Sequence, residues 1–172
     1  MMFRTHILFA LFFYILAIQL FSLNFSIIFA VILVFGAILP DVDSPTSFVN
    51  KNYLFGIGKG IALFSEHRGF FHSVFGALIF FTLGLIIIFF LKVSIIFAIA
   101  LALGYLLHLA ADSLTVSGIK WFWKSGHIKG PIRTGSIFEQ LFFVGLIIIT
   151  AYLIIGNQGL QQVTAFVSKI KP

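Results

Sequence analysis

The sequence contains no cysteine and few charged residues, and each shortage excludes a class of protein. Without cysteine, the 172 residues offer no disulfides, no thiolate metal ligands and no cysteine nucleophile. Any bound metal must therefore be held by nitrogen and oxygen. Charged residues make up 9% of the chain, against about 25% in soluble domains, whereas 60% of the residues are hydrophobic. The composition indicates an integral membrane protein.

Five hydrophobic stretches predict an all-α fold, a single transmembrane helical domain over residues 1–172. They run roughly over residues 7–23, 25–39, 74–91, 93–111 and 137–155, followed by a short tail over 156–172. A spanning helix needs about 20 residues, so the first two stretches predict a hairpin of short helices. We expect the first helix to be retained, because no A-x-A-type cleavage site follows it.

The distribution of basic residues predicts the orientation in the membrane. With five spans, the N-terminus and both long loops share one side, which holds eight of the 11 basic residues and is therefore expected to be cytoplasmic. The net charge of +6 is better explained by this orientation than by nucleic-acid binding. Four of the five acidic residues, and the histidines near them, lie at the ends of hydrophobic stretches on this same side.

Two of these clusters have the spacing of metal ligands. His108 and Asp112 are four residues apart on one helical face, so they could share an ion, or the carboxylate could orient the imidazole. Asp41 and Asp43 lie between two prolines, which predicts an extended segment with both carboxylates on one face. The alternatives are a polar helix end for the first pair and a helix-terminating turn for the second.

The third cluster combines histidines with groups that suit an anionic substrate. His67 and His72 flank a turn at Gly69, with His72 expected on the entering helix. Arg68 could clamp a phosphate or merely anchor the helix, and Glu66 could be a general base, a ligand or a solvated charge.

Three further polar residues, His6, His127 and Glu139, are less closely tied to these clusters. His6 is a candidate ligand because it lies at the same membrane side, although a lone interfacial histidine is the alternative. His127 lies in a lysine-rich loop and is assigned to solvent, and Glu139 is left outside the site. The 24 phenylalanines are expected to face lipid.

Four short motifs occur in order along the chain: Thr5-His6, Gly36-x-x-Leu39-Pro40-Asp41-Val42-Asp43, His67-Arg68-Gly69-x-x-His72-Ser73 and Gly104-Tyr105-x-x-His108-x-x-x-Asp112-x-x-Thr115. Together they resemble the YdjM-type family of predicted membrane-bound metal-dependent hydrolases. The resemblance covers about residues 4–118. It implies an inner-membrane, metal-dependent hydrolase that acts on phospholipid or another phosphoester. The loop over residues 121–136 matches no pattern of this family.

Together the residues and the resemblance predict a phosphoester hydrolase that uses one or two divalent ions, with Zn expected and Mn or Fe as alternatives. The ions would activate water, Arg68 would neutralise a phosphate oxygen and Glu66 would accept a proton. The expected metal ligands are His6, Asp41, Asp43, His67, His72, His108 and Asp112. The alternatives are a divalent-metal or proton transporter, and a non-catalytic scaffold in which a metal holds the helices together. The metal, the substrate and the oligomeric state are not specified by the sequence.

Overall fold

The structure is a computed structural model that describes residues 1–43 and 69–156, without the side chains of residues 42 and 43. This part of the chain forms five α-helices, one 3-10 helix and a two-stranded hairpin, which confirms the all-α membrane-bundle class. In chain order the elements are α1 Phe3–Phe21, α2 Ile27–Ile38, the 3-10 helix Leu39–Asp43, α3 Val74–Leu91, α4 Ile96–Ser113, β1 Ile119–Phe122, β2 Ser125–Ile128 and α5 Ile137–Gly156.

Four of the five helices are long and apolar enough to cross a membrane. These are α1, α3, α4 and α5, with 18 to 20 residues each. Helix α2 has 12 residues and is about 18 Å long, so it is shorter than a bilayer core. The outward faces of α3 and α5 expose large apolar side chains such as Phe89, Phe90 and Ile148, as expected for helices that face lipid.

Helices α1 and α2 form the predicted hairpin, but α1 has 19 residues and is long enough to span, so the prediction of a short first helix is wrong. A polar pair fixes the turn of the hairpin. Ser22 ends α1 in a left-handed conformation. The backbone N–H of Ser26 donates to the Tyr14 hydroxyl oxygen at 2.9 Å. The Ser26 side chain in turn accepts from the Phe29 N–H at 3.3 Å, which caps the start of α2. These bonds satisfy backbone groups that would otherwise be costly near lipid.

Glycines bring α2 and α4 into backbone contact. A Cβ on Gly104 would overlap the Leu33 carbonyl, and a Cβ on Gly36 would overlap the Leu101 carbonyl. In membranes, small residues at a helix interface allow this close approach. The contact packs α2 against the middle of α4, one turn before His108.

Five element ends meet at one end of the bundle: the starts of α1, α3 and α5, and the ends of α2 and α4. The β-hairpin joins α4 to α5 at this same end. It was not predicted from the sequence. Its strands pair Ile119 with Ile128 and Phe122 with Ser125, around a turn in which Trp123 has a φ of 59°. All the described candidate ligands lie at this end of the bundle.

Candidate metal centre

The structure brings five of the seven predicted ligands into one cluster, hereafter the His/Asp cluster. Its members come from four separate segments of the chain and are His6, Asp41, His72, His108 and Asp112. Two overlapping triads, each with ligand atoms within 4.8 Å of one another, make up the cluster: His6, Asp41 and His108, and then His72, His108 and Asp112. Asp41 is half-buried and the other four residues are buried. Such a set of nitrogen and oxygen donors is able to hold a divalent ion.

His108 occupies the centre of the cluster, and its orientation is set by the backbone of α2. Its Nδ1 lies 2.8 Å from the Ala37 carbonyl oxygen. A carbonyl only accepts hydrogen bonds, so Nδ1 carries the proton and Nε2 presents a lone pair. Metal-binding histidines are commonly oriented by such a bond to a backbone carbonyl. The sequence pointed to Asp112 as the group that could orient this imidazole, whereas the structure assigns that role to Ala37.

The Nε2 atom of His108 is buried and makes no hydrogen bond within the described residues. It lies 3.9 Å from Asp41 Oδ1 and 3.9 Å from Asp112 Oδ2, too far for hydrogen bonds. A lone pair that faces two carboxylates away from water is unfavourable unless a cation lies between them. Among the described residues, this nitrogen, with its lone pair available for coordination, is the feature of the cluster that fits a metal ion most directly.

His6 lies face to face with His108. The two ring centroids are 3.8 Å apart and the rings are tilted by only 8°. Nε2 of His6 is 3.3 Å from Asp112 Oδ1, while its Nδ1 is buried and has no hydrogen-bond partner within the described residues. The ammonium of Met1 also forms an ion pair with Asp112. Two parallel imidazoles can therefore present nitrogen atoms to the same carboxylate.

Asp41 lies in a 3-10 helix, so the prediction of an extended segment around it is wrong. Leu39, the residue before Pro40, has φ −55° and ψ −41°, a helical conformation. Proline is compatible with the first turn of a helix, so α2 tightens into a 3-10 turn through Pro40. With three residues per turn, positions 41 and 43 do not share a face. Within the described residues, the Asp41 side chain lies at the cluster, with its Oδ1 3.7 Å from His72 Nε2.

His72 lies in the turn before α3, and not on the helix as expected. Its N–H donates to the Gly69 carbonyl at 3.2 Å, and α3 begins two residues later at Val74. The Tyr105 hydroxyl of α4 donates to the carbonyl of Phe71 and so fixes this turn against α4. The His72 ring meets the His108 ring edge to face, with centroids 5.3 Å apart. The turn at Gly69 was expected, and the link through Tyr105 was not.

The remaining candidates fall into two groups. Glu66, His67, Arg68 and the Asp43 side chain lie outside the described residues. His127 lies on β2 and is exposed, with its Nε2 3.2 Å from the Ser117 carbonyl oxygen, away from the cluster as expected.

Glu139 has a structural role that the sequence did not reveal. Its side chain is fully buried. One carboxylate oxygen accepts from the Met2 N–H at 2.6 Å, and the other accepts from the Gly135 N–H at 2.6 Å. Glu139 thereby ties the start of α1, which carries His6, to the start of α5. A lone acid at the start of an otherwise uncharged helix was the available signal, because such a group near lipid needs a partner.

Comparisons with known proteins agree with the motifs. The family model described as YdjM inner membrane protein matches residues 1–169, and the chain belongs to this family. It is 40% identical over 87 residues to the inner membrane protein YdjM of Escherichia coli (strain K12), a match that covers 50% of this chain and 44% of that protein. The Shigella flexneri protein of the same name matches equally. The YvsG protein of Bacillus subtilis (strain 168) is 28% identical over 120 residues, 68% of this chain and 72% of that protein. No solved structure matches.

Proposed function

We propose that this member of the YdjM family is a metal-dependent hydrolase of a phosphoester such as a phospholipid. Its active site would be the His/Asp cluster at the cytoplasmic face of the inner membrane. The observation that carries the proposal is the buried Nε2 of His108, which has no hydrogen-bond partner among the described residues and lies 3.9 Å from the carboxylates of both Asp41 and Asp112. The Ala37 carbonyl holds this imidazole in the tautomer that can bind a cation.

The proposed ligands are the five residues of the cluster, with His67 and Asp43 as further candidates from the sequence. Imidazole and carboxylate donors without thiolate suit Zn, and also Mn or Fe, and five donors are enough for one or two ions. When bound, such an ion acts as a Lewis acid and lowers the pKa of water to near neutrality. As metal ligands the three imidazoles would be neutral, so the two carboxylates would supply a charge of −2, which one divalent ion would neutralise and two would exceed. The second state favours an anionic substrate.

Arg68 and Glu66 complete the proposed site. The guanidinium of Arg68 would bind the non-bridging oxygens of a phosphate, and Glu66 would accept a proton from the attacking water. Both precede His72 by a few residues in the sequence. The substrate would reach the site by lateral diffusion, because the site lies at helix ends where lipid headgroups lie.

The position of the cluster disfavours transport. Sites of secondary transporters typically lie near the bilayer midplane on interrupted helices. In α1, α3, α4 and α5, Asp, Glu, Lys and Arg occur only in the terminal turns at the end of the bundle that holds the cluster. A path for ions across the bilayer would therefore have no charged groups along the middle of the described helices.

Hydrolysis of a phospholipid and of a chromogenic phosphodiester by the protein in nanodiscs tests the proposal. We expect Zn- or Mn-dependent turnover in the wild type and in His127→Ala, an exposed histidine outside the cluster. Asp112→Asn keeps the shape of the side chain but removes its charge. Its turnover should fall by at least about 100-fold, because the loss of a residue that only orients a metal ligand already costs up to about 100-fold. Metal-loaded wild type without turnover would contradict the hydrolase and favour a scaffold. Accumulation of labelled divalent ion in proteoliposomes would instead favour a transporter.

A further inference from the structure

A basic and aromatic surface lies beside the His/Asp cluster and is not used by the proposed chemistry. Between Ser113 and Glu139 the sequence contains four basic residues and no acidic residue. The four are all exposed and form no ion pair with any residue that the structure describes: Lys120, Lys124, Lys129 and Arg133. This segment therefore presents a charge of +4 without internal compensation.

The β-hairpin holds this segment in a fixed orientation on the bundle. Ile119 is buried against Tyr105 and Leu109 of α4. The indole N–H of Trp121 donates to the Ser113 hydroxyl oxygen at 2.9 Å, one residue beyond Asp112. Because side chains alternate along a strand, this inward pair leaves the neighbouring positions on the outer face.

The outer face and the tip of the hairpin combine lysines with aromatic rings. Lys120 pairs with His127 across the strands, and Phe122 is 58% exposed. At the tip, Trp123 is 44% exposed, and Lys124 Nζ lies 4.8 Å from the centroid of its ring. Tryptophan and lysine of this kind are enriched where a membrane protein meets lipid headgroups. If the tip faced water, the apolar surface of these two rings would stay hydrated and would contribute no favourable free energy of burial.

The depth of the hairpin in the membrane follows from its connections. Strand β1 begins six residues after α4 ends, and α5 begins nine residues after β2 ends. Since α4 and α5 are both long enough to span, these short connections keep the hairpin close to the end of both helices, where a spanning helix leaves the bilayer core.

We propose that the outer face and tip of this hairpin bind the anionic phospholipid headgroups of the surrounding leaflet. Phe122 and Trp123 lie among the headgroups, while Lys120 and Lys124 contact their phosphates. Each basic residue near an anionic membrane surface contributes a roughly fivefold preference, so several of them enrich anionic lipid beside the cluster. This binding holds whether or not the cluster is catalytic, and its failure would leave the hydrolase proposal untouched.

The two tryptophans of the chain make the test specific. Trp121→Phe leaves Trp123 as the one fluorophore, and Trp123→Phe leaves Trp121. Each variant is placed in nanodiscs in which either phosphatidylglycerol or phosphatidylcholine is brominated, at equal mole fraction. We expect brominated phosphatidylglycerol to quench Trp123 at least about twofold more than brominated phosphatidylcholine, and to show no such preference for Trp121. Should Trp121→Phe not fold, the difference between wild type and Trp123→Phe isolates the Trp123 signal.

Charge variants provide the second arm of the experiment. Lys120→Gln together with Lys124→Gln should bring the Trp123 quenching ratio close to one. Lys92→Gln, an exposed lysine at the opposite end of α3, should leave the ratio unchanged. The proposal is overturned if Trp123 shows no lipid preference, or if the Lys120→Gln/Lys124→Gln double variant and Lys92→Gln change the quenching ratio alike. It is also overturned if neither lipid quenches Trp123, because a protein partner or a second copy would then cover the tip.

Discussion

Replacing Gly104 with alanine should weaken metal binding without touching any ligand. The added Cβ would overlap the Leu33 carbonyl oxygen and lie 2.9 Å from the Ala37 nitrogen, so α2 must move away from α4. Overpacking of this kind costs about 1–3 kcal/mol. The same movement displaces the Ala37 carbonyl from His108, whose Nδ1 lies 2.8 Å from it. Loss of a group that orients a metal ligand typically lowers metal affinity about 10–100-fold.

The measurement is a metal titration against a competing chelator, together with a thermal melt in detergent. Gly145→Ala in α5 is the matched control, because no atom of the residues that the structure describes lies within 4 Å of the added Cβ. In a helix this control change should be neutral or stabilise by about 0.5–1 kcal/mol. If Gly104→Ala and Gly145→Ala gave the same metal affinity and the same melting temperature, the inferred coupling between helix packing and His108 would be wrong.

Two further substitutions probe the groups that position the cluster. Glu139→Gln leaves one acceptor oxygen for two backbone N–H donors. In chemical denaturation its free energy of unfolding should therefore fall by about 1–3 kcal/mol, and its metal binding should weaken because the start of α1 carries His6. A free energy of unfolding equal to that of the wild type would exclude this role for Glu139. Tyr105→Phe removes the donor to the Phe71 carbonyl and should cost a similar amount. Because His72 follows Phe71 directly, the metal affinity measured by titration should fall as well, and an affinity equal to that of the wild type would refute the link.

The positions of the helices and the side of the bundle that holds the site were predictable from the sequence. Hydropathy identifies long helices because unpaired backbone groups are not tolerated in lipid, so each apolar stretch must be helical. The spacing of His108 and Asp112 is a local property of one helix, and the structure keeps both in the cluster. Because successive helices run in opposite directions, His6, Asp41 and His72 then lie at the same end of the bundle.

The remaining features depend on contacts between residues far apart in the sequence. The conformation of the Asp41 segment could not be derived from its prolines, because its 3-10 turn continues α2 where α2 packs on α4. The β-hairpin is short and its second strand is exposed throughout, so no hydrophobic alternation marks it. Trp121 fixes it through a hydrogen bond to Ser113, eight residues away. The roles of Ala37 and Glu139 likewise arise from backbone groups, whose partners the sequence does not identify.

Elemental analysis of the detergent-purified protein tests the metal centre most directly. Wild type and His127→Ala should each contain one or two equivalents of a divalent transition metal, whereas His108→Ala and Asp112→Ala should contain none. Circular dichroism of all four proteins verifies that the helices are intact. Wild-type protein that bound no metal after incubation with Zn or Mn, or cluster variants that retained full metal content, would contradict the assignment of the His/Asp cluster as a metal centre.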